Sequence, residues 1–110
     1  MRPQTVTVSS QATSTPIIVN WRERDFKLGV IAALASGASL TYSVEVSYDD
    51  PENFTDASDY NTNGTWIAAD SMSGLTATED TLIESPVRAI RIDVTAFTSG
   101  SVTLTVLQAT

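Results

Sequence analysis

Alternation of apolar and polar side chains dominates this chain. In residues 39–48, Leu40, Tyr42, Val44, Val46 and Tyr48 fall on one parity, and Thr41, Ser43, Glu45 and Ser47 on the other. A period of two is the mark of a strand with one face in a core. Near the C-terminus, Ile90, Ile92 and Val94 alternate with Ala89, Arg91 and Asp93. After Thr98-Ser99-Gly100-Ser101, Val102, Leu104 and Val106 alternate again. Residues 87–95 and 101–108 therefore read as a closing β-hairpin, with Gly100 supplying the turn. If the last strand lay at a sheet edge, it would offer main-chain pairing to another subunit.

Weaker patterns fill the rest. Thr5-Val6-Thr7-Val8 alternates, and residues 16–21 form a second strand entered by Pro16. Residues 26–34 are apolar on both parities, which fits a strand buried on both faces or a short helix; the early stop at Ser36-Gly37 and the neighbouring strands favour the strand. Residues 65–68 and 81–83 are short strand candidates. Residues 49–64, rich in Asp, Asn, Pro, Ser and Thr, lose all periodicity and predict a long loop or Ω-type excursion. Seven or eight short strands punctuated by turns predict an all-β, antiparallel β-sandwich, jelly-roll-like, with an immunoglobulin-like sandwich as the second choice. With 110 residues and no linker or internal repeat, one domain over residues 1–110 is expected.

Composition narrows the chemistry. There is no cysteine, hence no disulfide and no thiolate metal site, and no histidine, the usual base at neutral pH and a common zinc ligand. No serine has a plausible base, and no Gly-rich phosphate loop occurs. Paired carboxylates could serve glycoside hydrolysis, but a sugar cleft needs more aromatic lining than this chain offers. The expectation is a protein that is not an enzyme and has no cofactor and no metal.

The net charge is -7, with an isoelectric point near 4.2. The six cations are Arg2, Arg22, Arg24, Lys27, Arg88 and Arg91, and none lies between Leu28 and Val87, a span that holds ten acids. This distribution argues against nucleic acid, which needs a basic footprint. No stretch is long and apolar enough for a transmembrane helix, so no membrane partner is expected. The start lacks the apolar run of a secretory signal, so synthesis in the cytoplasm is expected. Asp49-Asp50-Pro51-Glu52, with Asp56 and Asp59, offers oxygens to a hard cation such as calcium; more simply, it is a turn whose acids accept backbone N–H bonds. Asn53-Phe54-Thr55 and Asn63-Gly64-Thr65 match the glycosylation pattern, expected by chance in a Thr-rich chain without a signal. Trp21 and Trp66 are either core residues or binding anchors. The candidate partner contacts are Trp21 with its neighbours Arg22 and Arg24, and Arg88 and Arg91 on the closing segment.

Several segments taken in order resemble a group of small proteins encoded near the head genes of tailed bacteriophages. They are Val19-Asn20-Trp21-Arg22 leading to Phe26-Lys27-Leu28-Gly29-Val30, and Tyr42-Ser43-Val44-Glu45 leading to Tyr48-Asp49-Asp50-Pro51. Thr65-Trp66, the run Pro86-Val87-Arg88-Ala89-Ile90-Arg91-Ile92, and the closing Gly100-Ser101-Val102-Thr103-Leu104-Thr105-Val106-Leu107-Gln108-Ala109 complete the set. The resemblance implies a virion structural protein, a capsid decoration or cement protein. It would bind the major capsid protein on the outside of the phage head as a dimer or trimer. It transfers no individual contact residue. A tail, neck or fibre module and a carbohydrate-binding module are the alternatives.

Overall fold

The computed structural model describes residues 3–22 and 26–108. Eight strands form two four-stranded antiparallel sheets: β1 (Gln4–Val8), β2 (Ile17–Ile18), β3 (Leu28–Leu34), β4 (Ser39–Ser47), β5 (Ile67–Ala68), β6 (Glu79–Ile83), β7 (Ala89–Ser99) and β8 (Val102–Gln108). One sheet has the order β1-β8-β3-β6 and the other β2-β7-β4-β5. The pairs β1·β8, β2·β7, β3·β6 and β4·β5 nest like one long antiparallel ribbon. The seams β3·β8 and β4·β7 close that ribbon on itself. This is the double-sheet jelly roll, the first of the two expected architectures.

Alternation explains the packing between the layers. Leu40, Tyr42, Val44 and Val46 of β4 and Ile90, Ile92 and Val94 of β7 point inward from one sheet. Leu28, Val30 and Ala32 of β3 and Val102, Leu104 and Val106 of β8 meet them from the other. All are buried in one cluster. Each fully buried aliphatic side chain of this kind contributes about 1.5–3 kcal/mol relative to exposure.

Four sequence expectations change. The closing segment is not a hairpin. β7 and β8 lie in opposite sheets, and the turn around Gly100 carries the chain across the sandwich. The two apolar faces meet across the core instead of lying side by side. Each strand is interior to its sheet, β7 between β2 and β4 and β8 between β1 and β3, so the last strand is not an edge. Second, β3 is buried on one face only; Ile31 is 41% exposed. The outer face of that sheet has nothing over it among the described residues, so its apolar parity does not report burial.

Third, residues 49–64 are ordered into a 3-10 turn (Pro51–Asn53) and a short helix α1 (Ala57–Asn63). The acids accept backbone N–H bonds, as the turn reading expects, and two of them do so as helix caps. Asp50 accepts from the Glu52 N–H and Asp56 from the Asp59 N–H, satisfying donors that a helix start leaves open. Buried Tyr60 anchors the excursion, stacked at 4.9 Å on Phe54 and 5.1 Å from Trp66. Fourth, the parity of β4 breaks at its end. Ser47 is buried and Tyr48 is 59% exposed, because the strand stops at Ser47.

Candidate functional site

The candidate contacts fall into two places on the β2-β7-β4-β5 side. Arg91 projects from β7 opposite Glu45 of β4, its register partner. Its Nη2 lies 2.8 Å from Glu45 Oε1 and its Nε donates to the same oxygen at 2.9 Å. Its Nη1 donates to the Asn61 carbonyl at 3.1 Å and to Asn61 Oδ1 at 3.0 Å, both on α1. The guanidinium sits 4.2 Å from the centre of the Trp66 ring, and Trp66 donates its indole N–H to the Tyr60 carbonyl. Only 11% of the Arg91 side chain is exposed. Arg91 and Trp66 therefore tie the excursion to the sheet; they are engaged within the chain.

The second place lies at one end of the sandwich and is open. The Arg88 N–H donates to the Ser47 carbonyl, and the Val19 N–H donates to the Arg88 carbonyl. Those bonds set Arg88 between the end of β4 and the segment that carries Trp21. That segment is held in turn by the buried Gln108 of β8, whose amide accepts from the Asn20 N–H and donates to the Asn20 carbonyl. Trp21 is 39% exposed, with the Arg22 and Arg88 guanidiniums 5.0 and 5.1 Å from its ring centre. Arg88 also pairs with Asp50 at 3.1 Å, and its Nε is buried without a hydrogen-bond partner. Trp21, Tyr48, Pro86, Val87 and Arg88 line a cleft of about 210 Å³. A second cleft of similar volume shares Tyr48 and Val87 and continues between β5 and β6.

The structure thus brings Trp21, Arg22 and Arg88 together and sets Arg91 apart, while Arg24 lies outside the described residues. Sequence reasoning missed Tyr48, the most exposed aromatic here, because its parity placed it on the core face. Its signal was the Asp49-Asp50-Pro51 stop that follows it. Asp50 was also missed as the partner of Arg88.

The acidic segment is engaged internally. Asp49 accepts from the Thr65 N–H. Asp59 accepts from the Thr55 N–H and hydroxyl and from the Asn63 amide, and these donors hold its carboxyl below the usual range. Among the described residues, no three acids converge as a metal site would require. Nor is any helix among them long and apolar enough to cross a membrane.

Comparison with protein-family models, with curated proteins and with solved structures finds no match for this chain.

Proposed function

We propose that this chain is a binding protein whose work is protein–protein contact, and that its partner is the major capsid protein of a phage head, which it decorates from outside. The observation that carries the mode of action is the Trp21–Arg88–Tyr48 patch. It joins a half-exposed tryptophan, an exposed tyrosine and an arginine at a small cleft. Tryptophan, tyrosine and arginine are the residues most enriched where interface energy concentrates. Main-chain bonds to Ser47 and Val19 fix the backbone at Arg88, and Gln108 fixes Asn20 beside Trp21, which lowers the backbone ordering that opposes binding. The resemblance of the segments around Trp21, Tyr48, Arg88 and β8 to phage head-gene products supports the choice of partner.

Purified protein added to capsids that lack a decoration protein is expected to bind at micromolar concentration or below and to raise the temperature at which they rupture. Trp21→Ala should weaken that binding by at least about tenfold, the scale of an interface anchor. Absence of binding at these concentrations refutes the capsid reading. A labelled copy seen at the tail, neck or fibre by electron microscopy would move it to another virion part. The exposed Trp21 and Tyr48 pair also favours one second reading, a carbohydrate-binding module. A glycan-array response lost in Trp21→Ala would select that reading.

A further inference from the structure

Four strands end the two sheets: β1 and β6 in one, β2 and β5 in the other. An exposed edge presents unpaired N–H and C=O groups, and proteins guard such edges by shortness or charge. β2 and β5 are two residues long. β6 carries Glu79 and Asp80, two charges on the edge itself. β1 has neither guard. Along residues 5–8 it has β8 on one side and no strand on the other among the described residues. Residues 3–21 contain no charged side chain, in a chain whose net charge is -7.

We infer that this edge is a homodimer interface in which β1 of one copy pairs antiparallel with β1 of a second. Three features commit it to a second copy. The first is that Thr5-Val6-Thr7 reads the same in both directions. A two-fold axis at Val6 puts Val6 against Val6 and each Thr5 against the other Thr7. That keeps the inward parity of both copies on one side, as register demands. Second, the uncharged edge lets two acidic chains approach where neither carries an acid. Third, Thr5 and Thr7 stand in register with Thr105 and Thr103 of β8, and the Thr7 and Thr103 hydroxyls are 2.9 Å apart. A second β1 would extend this threonine face across an eight-stranded sheet, with the threonine pairs that such ladders favour. The inference does not depend on the capsid reading.

Sedimentation of the full chain from micromolar to millimolar concentration tests it. The wild type should pass from monomer to dimer as concentration rises. Thr5→Lys/Thr7→Lys sets Lys against Lys across the axis, and Thr5→Glu/Thr7→Glu sets Glu against Glu. Each variant alone should remain monomeric, and an equimolar mixture should regain the dimer. A wild type that stays monomeric throughout overturns the inference, as does a lysine variant that dimerises like the wild type. Hydrogen exchange on the wild type gives a readout independent of the variants. Amides within residues 5–8 should gain protection with concentration, and a dimer that forms without such protection overturns the inference.

Discussion

Removing the Arg91 guanidinium should loosen the excursion before it unfolds the sandwich. Arg91→Met keeps an unbranched apolar stem against the sheet but deletes three contacts at once. These are the ion pair with Glu45, the two bonds to Asn61 and the cation–π contact with Trp66. Breaking a buried ion pair from one side costs about 3–5 kcal/mol, mostly because the other charge is stranded. Glu45 retains 19% side-chain exposure, so water relieves part of that penalty. The cation–π contact adds about 0.5–2 kcal/mol, and the methionine stem recovers some packing. The expected net loss is about 3 kcal/mol, or roughly 12 °C in Tm at about 4 °C per kcal/mol for a chain of this length. Chemical denaturation gives the free energy. Hydrogen exchange at residues 57–63 locates it, because α1 is joined to β7 through Asn61. Adding Glu45→Leu to Arg91→Met should recover about 1 kcal/mol or more by removing the stranded carboxylate. A loss below about 0.5 kcal/mol, with α1 protection unchanged, would show that the ion pair does not hold the excursion.

Burial and the nearby Glu79 charge push the Tyr42 hydroxyl, which donates to the Ala77 carbonyl at 2.7 Å, up to about 12 from 10.0. Between those values the folded chain keeps a proton the unfolded chain has released, so stability should be level below pH 10 and fall as pH rises toward 12. Burial of Tyr60 acts in the same direction; Tyr42→Phe should flatten the Tyr42 share of that fall, read by urea titrations at stepped pH. Gly100 has φ +91° and a Cβ there would stand 2.5 Å from Ala38 Cβ. Gly100→Ala should therefore cost at least about 2 kcal/mol, against about 1 kcal/mol for Gly37→Ala, which shares the positive φ but faces open space. Trp21→Ala should lower Tm by no more than about 4 °C, since Trp21 is partly exposed, while weakening partner binding. A large Tm loss in that variant would mark Trp21 as a packing residue.

Much of the candidate site was legible as residue types and little as an arrangement. Trp21 and Arg22 are neighbours in sequence, and their pairing follows from that. Arg88 joins them only because its main chain bonds both Ser47 and Val19. Arg88 and Arg91 look equivalent in the sequence, three residues apart beside one strand. Their fates differ because Arg91 lies opposite Glu45 and under α1, whereas Arg88 lies beyond the strand end at the open cleft.

Alternation by itself determined that these segments are strands and, up to the strand end before Tyr48, which side chains of β4, β7 and β8 face a core. A period of two is a property of a few consecutive residues, fixed by backbone sterics and the need to bury one face. Tertiary structure alone decided which strands pair. Adjacent segments β7 and β8 carry matching apolar faces that serve equally well in a hairpin or across a sandwich. What separates the outcomes is the demand of distant strands, β2 and β4 on one side and β1 and β3 on the other, for the hydrogen bonds of β7 and β8. Those demands come from residues far apart in the chain, and no local pattern records them.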